Sequence, residues 1–211
     1  MSKIEEIFTA IETGKAKIIA ELVQTAIDEG VEPMEILNKG MVDAMSVIGE
    51  RFSRGEAFVP EMLISARTMK KGVEVLKPHL AKDAATSFGT AVIGTVQGDM
   101  HDIGKNLVAM MIESAGFEVV DLEVDVPLER FVEAIQTHPN VRIVALSTLL
   151  TTTMPAMKNI VAGLNQLDNR SSFRVMVGGA PITAEFAKQI GADGYSPDAA
   201  AAAVLAKSLV S

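Results

Sequence analysis

The chain has 211 residues, no cysteine and a formal net charge of −8. Its length allows one large domain or two small ones, and the missing cysteines exclude disulfides and thiolate metal sites. The acidic balance argues against a nucleic-acid surface, which needs clustered Lys and Arg.

No apolar stretch reaches the length of a membrane span. The N-terminus, MSKIEEIFTAIETGK, carries acids among its apolar residues and lacks a signal-peptide pattern. A cytoplasmic protein with no membrane partner is expected. The side-chain mix is unusual in having no Trp, one Tyr and twelve Met. Met34, Met41, Met45, Met62 and Met69 all fall in the first part of the chain. They suit a helix-bundle core, although a shield over a reactive group would use the same side chains.

Residues 1–80 read as helices alone. Ile4, Ile7, Phe8 and Ile11 share one face before a Thr13-Gly14 break. A second stripe, Ile18 to Ile27, stops at Glu29-Gly30. A third starts at Pro33, a favoured first-turn residue, and runs through Ile36, Leu37, Met41, Ala44, Met45 and Ile48 to Phe52. The fourth carries Met62, Leu63, Ala66, Met69, Val73 and Leu76 and ends at Pro78. Four amphipathic helices with short connections predict a four-helix bundle.

A small, polar stretch at 81–89 reads as a linker and a natural hinge. Over residues 90–211 the period changes. TAVIGTV, FEVVDLEV, RIVALST, FRVMVGG and the short ADGY are strand-like. Helical stretches follow them at 103–115, about 127–137, about 154–168, 182–190 and 198–209. This alternation predicts an α/β domain with a five-stranded parallel sheet covered on both faces. Ligands in such sheets sit beyond the carboxyl ends of the strands. Asp99 and His101, Ser147, and the pair Gly178-Gly179 all fall at such ends.

Several chemistries can be weighed at this constellation. A hydrolase triad is disfavoured because Asp99 and His101 share one turn and Ser147 lacks a G-x-S-x-G elbow. Zinc would find too few ligands, since His79 and His138 adjoin prolines in surface connections. The turn has neither G-x-G-x-x-G nor a Walker lysine, and an acceptor aspartate would leave His101 unexplained. A single histidine serves best if the cofactor brings its other metal ligands. Asp99 would then hold the second ring nitrogen of His101, and Ser147 would hydrogen-bond Asp99. Gly104 would admit a bulky ligand at the helix start, and Gly178-Gly179 would leave a passage into the sheet. Asp102 reads as the helix cap or as a carboxylate favoured by the helix dipole.

The ordered set D-x-H-x-x-G (Asp99, His101, Gly104), S-x-L (Ser147, Leu149) and G-G (Gly178, Gly179) resembles the signature of cobalamin-binding domains. The longer GDMHDIGKNLV resembles the methyl-transferring branch, which includes methionine synthase. GERFSRGEAFVPEMLISARTM is similar to the helical cap that precedes such domains. The resemblance implies a cap at 1–80 and a Rossmann-like (flavodoxin-like) cobalamin domain at 90–211. It also implies His101 as the lower cobalt ligand, with Asp99 and Ser147 behind it. Gly98, Met100, Asp102, Ile103 and Leu149 would lie near the cofactor, and Thr151, Tyr195 and Ala199 would line its nucleotide tail.

By the same resemblance the chain is a corrinoid protein, non-catalytic alone, that cycles through methylcobalamin, cob(I)alamin and cob(II)alamin. Its expected partners are a substrate-specific methyltransferase, a second methyltransferase with a pterin or thiol acceptor, and a reductive activator protein. The cap would cover the upper cobalt face and swing away on the linker. The alternatives are the small subunit of an adenosylcobalamin mutase and a cobalamin-dependent sensor. The cap resemblance disfavours the first, and the acidic chain disfavours the DNA-binding form of the second.

Overall fold

The computed structural model describes residues 2–79 and 88–210. The chain divides into two compact units, Met1–Thr86 with Ser114–Gly116, and Ser87–Glu113 with Phe117–Ser211. The linker expected at 81–89 lies outside the described residues except for Phe88 and Gly89.

In the first unit, α1 (Lys3–Glu12) opens with a reciprocal cap. The Ser2 hydroxyl accepts from the Glu5 N–H, and the Glu5 carboxylate accepts from the Ser2 N–H. α2 (Ile19–Asp28) follows, with Gly30 just beyond its end. The third expected helix is not uniform. It runs as α3 (Pro33–Glu35), a π-helical stretch (Ile36–Val42) and α4 (Asp43–Ser53). A π turn bonds five residues apart, so the register shifts by one residue within the stretch. The shift lets Ile36, Leu37 and Met41 stay buried together with Ala44, Met45 and Ile48. α5 (Val59–Leu76) completes the four rods. α1 packs on α2, α4 and α5, and α2 packs on α5. Met41, Met45, Met62 and Met69 are buried in this core, while Met34 is exposed.

The second unit is a five-stranded parallel sheet in the order β2-β1-β3-β4-β5. Its strands are β1 (Thr90–Thr95), β2 (Glu118–Asp121), β3 (Val141–Ser147), β4 (Arg174–Gly178) and β5 (Gly194–Tyr195). The intervening helices are α6 (Ile103–Ser114), α7 (Leu128–Thr137), α8 (Met154–Leu164), α9 (Ala184–Ile190) and α10 (Ala199–Val210). This is the flavodoxin-like order, which reverses direction between β1 and β3 and opens a crevice there. β1 is buried at every position, which explains its unbroken apolar run. One face of the sheet packs Val92, Val144, Val175 and Val177 with Phe131, Met157 and Ile160. The described helices include none long and apolar enough to cross a membrane.

Candidate functional site

Pairing across the sheet sets Thr95, Ser147 and Gly178 side by side on β1, β3 and β4. The three motif segments therefore leave adjacent strands at the same level. Past β1, Gly98 takes φ +85 and turns the chain back. Its N–H donates to Asp125, and the Thr95 hydroxyl donates to the His101 carbonyl. α6 begins two residues after His101.

The turn buries Asp99 completely, at 0% exposure. His101 Nδ1 lies 2.7 Å from Asp99 Oδ1, and the His101 N–H donates to the same oxygen at 3.0 Å. Oδ2 accepts from the Thr148 hydroxyl at 2.8 Å and from the Leu149 N–H at 2.6 Å. Asp99 thus spans the switch-point crevice from β1 to β3. Burial, the largest influence, pushes its carboxyl pKa up. The Leu149 N–H, the His101 side chain and N–H, and the Thr148 hydroxyl together outweigh it and hold the group well below the usual carboxylate range.

The hydroxyl expected from Ser147 is supplied instead by Thr148. β3 ends at Ser147, and although both residues line the cavity it is Thr148, the first residue past the strand, that meets Asp99. Thr153 joins the same cluster, with its hydroxyl 2.5 Å from that of Thr148. Nothing in the periodicity of ALSTLLTTTM marks either threonine.

A cavity of about 560 Å³ opens above these strand ends. Met100, His101, Asp102, Ile103 and Gly104 line one side, and Ser147, Leu149, Gly178, Gly179 and Ala199 line the others. Four expected residues do not line it, Asp99 being buried beneath His101. Gly98 shapes the turn below, Thr151 sits exposed in a short 3-10 turn, and Tyr195 packs against the core cluster. Gly179 has a reason other than an open passage. At φ +129, a Cβ there would come within 1.8 Å of the Thr148 carbonyl oxygen, so only glycine fits. Ser196 and Asp198 line the wall beside Ala199 and were not expected.

Lys105 was not expected either. It is 2% exposed, lines the cavity and pairs with Asp121 at 2.5 Å. Its aliphatic stem extends the apolar face of α6, so its burial is invisible to a count of apolar residues. Asp102 bonds the Asn106 side chain and accepts the Asn106 N–H at its carbonyl, as a residue at a helix start does.

The site can hold a metal only in a particular way. No group of three or more His, Cys, Asp or Glu suited to a metal occurs among the described residues. A metal on His101 must therefore arrive with most of its ligands, as in a corrin ring. His101 fits that demand: its side chain is 52% exposed, Nδ1 is held by Asp99, and Nε2 remains for coordination. A Cβ on Gly104 would meet nothing within 4 Å, which leaves room beside it. Ile103 is 86% exposed at the rim, an apolar side chain without cover.

Comparison with known proteins agrees with that fit. Residues 89–204 match one family model described as a B12 binding domain, and residues 3–77 match a second with the same description. A trimethylamine corrinoid protein of Methanosarcina acetivorans is 42% identical over 94% of this chain and 94% of its own length. The methanol:cobalamin methyltransferase complex MtaBC of Methanosarcina barkeri contains a chain that superposes with a TM-score of 0.82 at 30% identity, over 99% of this chain and 79% of that one. A cobalamin-binding protein of Desulfitobacterium hafniense superposes with a TM-score of 0.83 at 30% identity, over 99% and 98%.

Proposed function

The chain belongs to the B12-binding corrinoid proteins, and we propose that it holds cobalamin with His101 as the lower cobalt ligand and carries methyl groups between two methyltransferases. The first would be specific for the methyl donor, and the second would pass the group to a pterin or thiol acceptor. Kinship with corrinoid proteins named for trimethylamine and found in a methanol methyltransferase complex supports a carrier role. The observation that carries the ligand assignment is the 2.7 Å contact from Nδ1 of the half-exposed His101 to a buried Asp99, after which Nε2 is the ring nitrogen left to coordinate.

When bound, the cofactor supplies a nucleophilic cobalt that accepts and releases a methyl group. The protein's own residues do the rest. Asp99 stays ionised, fixes the Nδ1–H tautomer of His101 and increases the donor strength of Nε2. Met100, Ile103 and Leu149 form an exposed apolar rim that would take up the edge of the ring and keep water from the lower face. Gly104, Gly178, Gly179 and Ala199 bound the cavity proposed to hold the nucleotide tail, where Ser147 and Ser196 offer hydroxyls.

Spectra of the cobalamin-loaded protein test this reading. His101→Ala should abolish the signature of imidazole ligation and lower methyl transfer. An unchanged spectrum would overturn the assignment. Binding of methylcobalamin without any adenosylcobalamin-dependent radical turnover is expected, and such turnover would favour a mutase subunit.

A further inference from the structure

Among the described residues, three non-glycine residues have positive φ, and two of them, Glu123 and Asp125, stand on the loop from β2 to α7. The third, Asn140, lies just before β3. A left-handed residue that carries a Cβ is costly, and it persists only where surrounding contacts hold it. Here those contacts lead to the turn that carries His101.

The loop continues beside β1 past the end of β2. The Leu122 N–H donates to the Ile93 carbonyl, the Thr95 N–H to the Glu123 carbonyl, and the Val126 N–H to the Thr95 carbonyl. Asp125 leaves this ladder and grips the turn at two points. Its N–H donates to the Asp99 carbonyl at 3.0 Å, and its Oδ1 accepts from the Gly98 N–H at 2.7 Å. Aspartate suits the position, since its short side chain tolerates φ +55 and reaches a nearby N–H. The base of the loop is fixed separately. Asp121 accepts from the Glu123 N–H at 2.8 Å and from the buried Lys105 ammonium of α6. His101 therefore lies between two points tied to one loop: Gly98–Asp99 through Asp125, and the first turn of α6 through Lys105 and Asp121. The Asp99 side chain bonds the segment after β3, while its main chain bonds the segment after β2.

We propose that Asp125 is a positioning residue for His101: by gripping Gly98 and Asp99 it holds the turn in the conformation that sets the imidazole for axial coordination. The inference rests on the reading of His101 as the cobalt ligand. Asp125 does not line the cavity, so it acts through the turn and not by touching the cofactor. Gly98, at φ +85, is a swivel directly before Asp99, and the bond to Asp125 is what restrains it from the β2 side.

The test compares substitutions of Asp125 in the full chain. Asp125→Asn keeps an oxygen acceptor and tolerates the left-handed backbone. Asp125→Ala removes the acceptor and keeps the strain, whereas Asp125→Gly removes the acceptor and relieves the strain. With cobalamin bound and reduced to cobalt(II), electron paramagnetic resonance distinguishes axial nitrogen from axial oxygen. The ratio of His-ligated to unligated cobalt should fall about fivefold in both Asp125→Ala and Asp125→Gly, the factor for one net hydrogen bond, and stay at the wild-type level in Asp125→Asn. A merely structural role would instead follow thermal stability, in which Asp125→Gly should equal or exceed Asp125→Ala. In the cobalamin-free protein, hydrogen exchange at the Gly98 amide should quicken in Asp125→Gly, which reads the loosened turn without any cobalt. If Asp125→Ala does not fold, Asp125→Gly and Asp125→Asn decide. Wild-type ligation in Asp125→Gly, unchanged exchange at Gly98, or a loss of ligation in Asp125→Asn as great as in Asp125→Gly would overturn the proposal. A nitrogen signature that survives His101→Ala would instead overturn the ligand reading beneath it.

Discussion

The helical unit and the carboxyl edge of the sheet bury different kinds of group. Among the described residues of the bundle, the fully buried polar side chains are Ser65 and Thr68, and each bonds a backbone carbonyl nearby. Its core is otherwise Ile, Leu, Met, Val and Ala, with Gly40 and Gly72. At the sheet edge the buried groups include a carboxylate, Asp99, and an ammonium, Lys105. Burying a charge is costly unless it is paired and hydrogen-bonded, so such groups need a dedicated network. Asp99 accepts from the His101, Leu149 and Leu150 N–H groups, the His101 ring and the Thr148 hydroxyl, and Lys105 has Asp121 and Asn106. The bundle can be assembled from shape alone, whereas the sheet edge must be assembled from specific partners.

That contrast can be broken most severely at the Lys105–Asp121 pair. Asp121→Asn leaves the buried ammonium without its counter-charge and should cost about 3–5 kcal/mol of unfolding free energy. Lys105→Met should cost clearly less, because the partly exposed Asp121 can return to water. Urea unfolding of both variants checks the asymmetry, and equal losses would refute it.

A smaller effect is expected at Asp99. Removing its charge in Asp99→Asn should cost about 1–3 kcal/mol near neutral pH. The folded carboxyl lies below its ordinary value of 3.8, so its contribution is complete above that value and is lost as pH falls toward the folded one. The gap between wild type and variant, followed by unfolding of the cobalamin-free protein from pH 7 downward, should therefore narrow only in acid. A gap that widens there would contradict the network.

The bundle should be the most forgiving region. Met41→Leu conserves volume in an apolar core and should cost under about 1.5 kcal/mol, measured as a small shift in thermal unfolding. A loss as large as that at Asp121 would mean that the bundle, too, depends on specific partners.

How far the residues alone could be read follows the same division. The four apolar stripes of the bundle were legible because each repeats with the helical period. Even so, the π stretch at Ile36–Val42 was not, since its apolar spacing differs from an α-helix by one residue. The β-rich runs and the motif residues Asp99, His101 and Gly104 were legible, and they meet where a parallel sheet brings strand ends together. Thr148, Thr153 and Lys105 were not. Threonine and lysine are ordinary at surfaces, and only their neighbours in space distinguish them.

Local pattern by itself determined the two-part organisation, the parallel sheet and the segment that carries His101, because periodicity and turn chemistry act between residues close in the chain. Tertiary structure alone decided which hydroxyl meets Asp99. Ser147 and Thr148 are adjacent and chemically alike, and the choice between them depends on how the chain leaves β3 and on the crevice between β1 and β3. Tertiary structure also decided that Gly179 must be glycine, since the atom it avoids is the Thr148 carbonyl just past the neighbouring strand β3. Contacts of that kind join residues distant in the chain, so no local period records them.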